Sequence, residues 1–148
     1  MVTGPTWQVL EHREQSEEPA MRVRCAPSGP DLWVPGRHVL AVFEVGTEWL
    51  LFADHDSPFE ESLEICLLSR AGLTDQVSLA FFGWASAGIV PERIAERVFG
   101  FTFPATRRWR LELGARPAPV RPRLGVHRHG RWLSRLWLSG AGQGAESP

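Results

Sequence analysis

The stretch RHVLAVFEVGTEWLLFADHDSPFEESLEICLLSR, Arg37 to Arg70, decides the fold. Val39 to Val45 and Trp49 to Ala53 are rich in β-branched and aromatic residues, and Gly46-Thr47 between them supplies the positive φ that a tight hairpin needs. The two runs are therefore expected to pair antiparallel. Alternation puts Val39, Ala41, Phe43 and Val45 on one face and His38, Leu40, Val42 and Glu44 on the other. Both faces are largely apolar, which describes a central strand covered on both sides and so a sheet packed against a second layer. Leu63 to Leu68 reads as a third strand, with a turn beginning at Arg70-Ala71-Gly72. Between the second and third strands lies the acidic loop Asp54 to Glu61, where Pro58 cannot continue a ladder.

Outward from this meander, Thr6 to His12 and Met21 to Cys25 alternate as outer strands, the latter with Met21, Val23 and Cys25 on one face and Arg22 and Arg24 on the other. Ala26 to Gly36 is rich in Pro and Gly and reads as loop, with Leu32 to Val34 as an apolar plug or very short strand. Gln76 to Phe82 is a further strand. In Pro91 to Phe99, proline at a first helical position and helically spaced Ile94, Ala95, Val98 and Phe99 predict about two turns of helix. A strand then follows from about Val98 to Phe103. Arg107 to Leu113 is cleanly amphipathic, with Trp109, Leu111 and Leu113 opposite Arg108, Arg110 and Glu112. Ala115 to Arg123 reads as a polyproline-like connection. Leu124 to Leu138 is either a hairpin turning at His129-Gly130 or a strand leading to a short helix.

The expected fold is thus mainly β: a two-layer antiparallel domain, sandwich or meander, of seven to nine strands with one or two short helices. Residues 1–139 read as one globular domain, long enough to bury roughly two thirds of its unfolded surface, and 140–148 as a disordered tail. The expected core is Val39, Ala41, Phe43, Leu50, Phe52, Leu63, Ile65, Leu67, Leu79, Phe81, Phe101, Trp109 and Leu111.

Composition narrows the function classes. No apolar run approaches the length of a membrane span and the acidic N-terminal region has no signal-peptide core, so the expected compartment is the cytoplasm. Cys25 and Cys66 have neither metal-site nor disulfide-framework spacing. All 16 basic residues are Arg, the bias of GC-rich coding DNA, so the arginine count carries little information about phosphate recognition. Charge is unevenly spread: residues 1–74 hold 5 Arg against 12 Asp and Glu, a net of −7, while residues 75–148 hold 11 against 5, a net of +6. Such a split fits either internal pairing or two surfaces meeting different partners.

The chemical motifs are weak. Asp54-x-Asp56 with Glu60 and Glu61 resembles an oxygen cluster for a hard cation, but the EF-hand pattern requires Gly where Phe59 stands. His127-x-His129 with His55 lacks a fourth Zn²⁺ ligand. Gly83 to Gly88 departs from the nucleophile elbow at Trp84, and Ser86 is better read as part of a small-residue loop. Arg and Trp interleave at Arg107 to Arg110 and Arg131 to Arg135, a pattern suited to phosphate contact with base stacking.

The reading that follows is a non-enzymatic protein-binding module needing no cofactor, in the manner of a small bacterial immunity or inhibitor protein. Its expected surface is Glu44, Glu48, Asp54, Asp56, Glu60 and Glu61, whose fields would add toward a basic protein partner, with Trp49 or Phe59 as apolar anchor. The alternatives are a nucleic-acid-binding domain using the Arg/Trp-rich C-terminal half and a metal-dependent enzyme using Asp54 and Asp56.

Overall fold

The chain forms three antiparallel sheets, and the computed structural model describes residues 6–14, 18–55, 60–82, 89–104 and 107–140 of it. The first sheet is a meander of β1 (Gln8–Arg13), β2 (Ala20–Arg24) and β3 (Asp31–Pro35). The chain leaves it at Gly36, whose φ of 114° only glycine adopts freely, and whose missing Cβ would stand 2.9 Å from the carbonyl oxygen of Asp54. The second sheet contains β4 (His38–Val45), β5 (Glu48–Asp54), β6 (Glu60–Ser69), β7 (Gly72–Phe82) and the two-residue β11 (Val126–His127) in the order β11-β7-β6-β5-β4. The third is ordered β12-β10-β9-β8, from β8 (Glu92–Ala95), β9 (Val98–Thr102), β10 (Arg108–Pro119) and β12 (Leu133–Gly140).

The five-stranded sheet lies in the middle because its strands carry apolar side chains on both faces. Leu50 and Phe52 of β5, Leu63, Ile65 and Leu67 of β6, and Val77 and Leu79 of β7 pack against Phe99, Phe101, Trp109, Leu111, Leu136 and Leu138 of the third sheet. Trp49, Leu51, Ala53, Cys66 and Leu68 on the other face pack against Met21, Val23, Cys25 and Val34 of the first. Two separate cores therefore sandwich one sheet. Burial pushes the Cys25 thiol up to about 11 and the Cys66 thiol well above its ordinary value, so both are inert apolar fillers in the second core.

Several expectations need correction. There are three layers of strands rather than two, because the N-terminal hairpins form a sheet of their own; among the described residues there are twelve strands and no helix. The predicted helix at Pro91 to Phe99 is the hairpin of β8 and β9, turning at Glu96-Arg97. Two isolated helical turns are marginal, whereas pairing satisfies the backbone of β9 along its whole edge. β4 is the edge strand of the middle sheet, not a central one, and Phe43 is only half-buried against Phe52 and Phe99. A bulge at Leu40 reverses the alternation there, so that Val39 joins the second core while Ala41 and Phe43 face the first. Val39, Ala41 and Phe81 are likewise only partly buried. The supposed polyproline connection is in its first half strand, since β10 continues to Pro119 through an irregularity between Leu113 and Ala118. A tight turn does occur at His129-Gly130, with φ of 55° and 77° and the Arg131 amide donating to the Arg128 carbonyl at 3.0 Å, but it closes neither the expected hairpin nor a strand–helix unit: β11 before it pairs with β7 of the middle sheet and β12 after it with β10 of the third.

Candidate functional site

Antiparallel meanders send alternate turns to opposite ends of a sheet, and this separates the predicted acidic residues. Glu44 and Glu48 flank the β4–β5 turn, while Asp54 ends β5 six residues farther on, roughly 20 Å away at strand rise. Glu44 and Glu48 also point to opposite faces: Glu44 lies opposite Trp49 on the second-core side, Glu48 opposite Val45 on the first-core side. Glu48 is engaged internally by the guanidinium of Arg135 at 2.8 and 2.9 Å. Trp49 is 6% exposed and belongs to the second core, so it offers nothing to a partner. Asp54 accepts a hydrogen bond from Nδ1 of half-exposed His38 at 3.1 Å. Glu60 and Glu61 begin β6, opposite Phe82 and Phe81. Asp56 and Phe59 lie outside the described residues, as do Trp84 and Ser86.

Asp54, Glu60 and Glu61 are therefore gathered at one end of the middle sheet, and Glu44 and Glu48 are not. At that same end the chain adds a residue that the sequence reading passed over. The Ala80 amide donates to the Gly125 carbonyl at 2.9 Å, which ties the turn Arg123 to Val126 to the end of β7. Gly125 has φ of 79°, and a Cβ there would stand 2.5 Å from the Phe81 ring. The turn thus holds Leu124 outward, 93% exposed, about two strand spacings, or roughly 10 Å, from Glu61. An apolar residue inside an Arg- and Pro-rich segment carries no periodic signal, which is why pattern reading missed it.

A second constellation lies on the second-core face, beyond the cover of the first sheet. Ala53, Glu64, Ser78 and His127 oppose one another across β5, β6, β7 and β11 in one cross-strand row. Buried Glu64 accepts from His55 Nε2 at 2.9 Å, from Gln76 Nε2 at 3.2 Å and from the Ser78 hydroxyl. Burial alone would raise its carboxyl, but the donors His55, Ser78 and Gln76 outweigh it and hold the group below the usual carboxylate range. His129 returns over the row with Nε2 at 2.5 Å from Ser78 Oγ. A hydroxyl has one proton, and with that proton on Glu64 it is His129 Nε2–H that donates to Ser78. The imidazole thus holds a proton where a general base would need a lone pair, so the row is a hydrogen-bonded latch rather than an activated nucleophile. Burial, then neighbouring His127 with ring centroids 4.3 Å away, holds His129 below the ordinary histidine value. His55 and His129 are thus joined through Glu64 and Ser78, but among the described residues no three His, Cys, Asp or Glu side chains converge as metal ligands.

A third network closes the opposite end. Asp75, buried, accepts from the Ser134 hydroxyl and the Arg135 amide, each at 2.8 Å, while Arg128 donates to the Leu136 carbonyl at 2.6 Å. Trp137 lies over Gly114 with its Nε1 donating to the Ser134 carbonyl at 2.9 Å, and of the two tryptophans that suggested base stacking Trp109 is buried. Trp132 alone of that group stands in solvent, 71% exposed. No helix among the described residues is long and apolar enough to cross a membrane. Comparison of the chain with protein-family models, with curated proteins and with solved structures found no match.

Proposed function

We propose that the chain is a protein-binding module whose docking surface is the end of the middle sheet that carries Asp54, Glu60, Glu61 and Leu124. The exposure of Leu124 carries this reading. A leucine held outward on a turn whose glycine and amide contacts fix its position loses little freedom on binding, and burying it contributes about 1.5 to 3 kcal/mol. Acidic residues at the same end of a sheet as such an anchor speed encounter with a basic partner and select against acidic ones. Glu44, Glu48 and Trp49, which belong elsewhere, drop out of the surface.

The partner is a basic protein, and the module acts by occluding it, as an immunity or inhibitor protein does. Two packed cores on either side of one sheet support the reading, because a preorganised surface minimises the ordering cost of association. The experiment is to isolate the partner by affinity capture and to measure its association rate with the wild-type chain and with the double charge reversal Glu60→Lys/Glu61→Lys. A partner of this kind associates more slowly with the reversed chain and loses most of its salt dependence.

A further inference from the structure

The outer face of the third sheet holds a depression of about 380 Å³ lined by Ile94, Arg108, Trp109, Arg110, Ser139 and Gly140. It exists because of what stands beside Arg110. The residue facing Arg110 on β9 is Gly100 and the residue facing it on β12 is Ser139, so neither neighbouring strand fills the space beside the guanidinium stem. The bulge between Arg93 and Ala95 brings Ile94 across Gly100, where a Cβ would stand 2.8 Å from Ile94 Cδ1. Gly100 thereby admits Ile94 as one apolar wall.

The charges of this depression are unbalanced. Arg108 and Arg110 alternate with buried Trp109 and therefore project from the same face of β10. Arg108 gives one N–H to Glu92 Oε1 at 3.3 Å, a solvent-exposed contact. Arg110 has no ion pair or hydrogen bond to its side chain among the described residues. Glu112, the next carboxylate along that face, stands opposite Val98 and Trp137 rather than beside the depression. Two guanidinium forks, one of them unengaged, with a hydroxyl between the strands, match the planar oxygens of a carboxylate or phosphate. The volume lies within the range of small-molecule sites and exceeds what a bare oxyanion fills.

We propose that this depression binds a small organic anion, its carboxylate or phosphate head on Arg110 and Arg108 and an apolar body against Ile94. The site is independent of the acidic end and of any partner bound there. The test is isothermal titration of the full chain with phenyl phosphate, with benzoate and with inorganic phosphate. Saturable one-to-one binding of an aryl anion is expected, with inorganic phosphate weaker. Arg110→Ala should weaken it by about tenfold or more, the loss of a charge-assisted contact, with the melting temperature unchanged because Arg110 is exposed. Glu92→Ala, which removes the acceptor and frees Arg108, should tighten it. The proposal is overturned by the absence of saturable binding, by an Arg110→Ala variant that binds as tightly, or by inorganic phosphate binding as well as phenyl phosphate. Retention on vesicles of phosphatidic acid or on single-stranded DNA without binding of either aryl anion would overturn it too, assigning the arginines to a polyanion surface.

Discussion

Arg135 spans the gap between the two larger sheets and holds Glu48 with both arms of its guanidinium, Nη1 to Oε2 at 2.8 Å and Nη2 to Oε1 at 2.9 Å. Its Nε donates to the Gly114 carbonyl at 2.8 Å, and its own amide donates to Asp75. One side chain thus fastens β12, β10 and β5, and the pair is four-fifths withdrawn from solvent on both sides, at 19% exposure each. Arg135→Ala should cost about 3 kcal/mol, because it leaves Glu48 partly buried and unpaired. The double variant Glu48→Gln/Arg135→Ala should lose less than the sum of the single losses, measured by urea denaturation as a coupling of about 1 to 3 kcal/mol. Additive losses would mean that the pair is incidental.

Acid should destabilise the protein in two stages. His129 has a lowered pKa in the fold, so the native state binds fewer protons than the unfolded chain, and stability falls as pH drops below the ordinary histidine value of about 6.5. Glu64 also has a lowered pKa, and its contribution, complete above the unfolded carboxyl value of about 4.3, is lost as pH falls through the lower folded value. His129→Asn, which tolerates the φ of 55°, should abolish the upper stage and leave the lower one. Melting temperature against pH reads both. A wild-type curve flat from pH 7 to 5 would contradict the latch.

Core substitutions should rank by layer position. Phe52→Ala, at a fully buried position of β5, should cost about 3 to 5 kcal/mol. Phe43→Ala, on half-buried edge strand β4, should cost clearly less, about 2 kcal/mol, since only part of its area leaves water on folding. Equal costs would argue that β4 is covered as fully as β5.

Gly114→Ala tests the close packing of Trp137. A Cβ at this position would stand 2.2 Å from Trp137 Cζ2, backed by the indole's hydrogen bond to Ser134. Displacing the ring should cost about 1 to 3 kcal/mol and shift the tryptophan fluorescence. Trp137→Leu made in the Gly114→Ala background should recover part of that loss.

Much of the middle sheet was legible because its evidence is local. The Gly46-Thr47 turn, the β5 and β6 runs and the positive-φ turn at His129-Gly130 each announce themselves within a few residues. The third layer was not legible: Met21, Val23 and Cys25 alternate as an outer strand would, and nothing in that alternation says whether β2 joins the middle sheet or lies over it. Edge and centre were equally hidden, since His38 to Val45 is apolar enough for either. The site was misread for a geometric reason. Glu44 and Glu48 are close to Asp54 in sequence, yet a seven-residue strand separates their turns. The engagement of Glu48 depends on a residue 87 positions away. Leu124 owes its exposure to a contact between Gly125 and Ala80, which no sequence window contains.

The binding surface is tested most directly by the affinity of the captured partner for Leu124→Glu, measured beside Trp132→Ala at equal protein stability. Leu124 contacts nothing that its loss would unfold, so the variant should melt as the wild type does. The surface centred on Leu124 predicts a dissociation constant raised about thirtyfold or more, the effect of removing a hot-spot anchor of at least 2 kcal/mol, and an unchanged constant for Trp132→Ala. Unchanged affinity in Leu124→Glu, with binding lost in Trp132→Ala, would contradict the assignment and move the interface to the opposite, arginine-bearing end of the sheet.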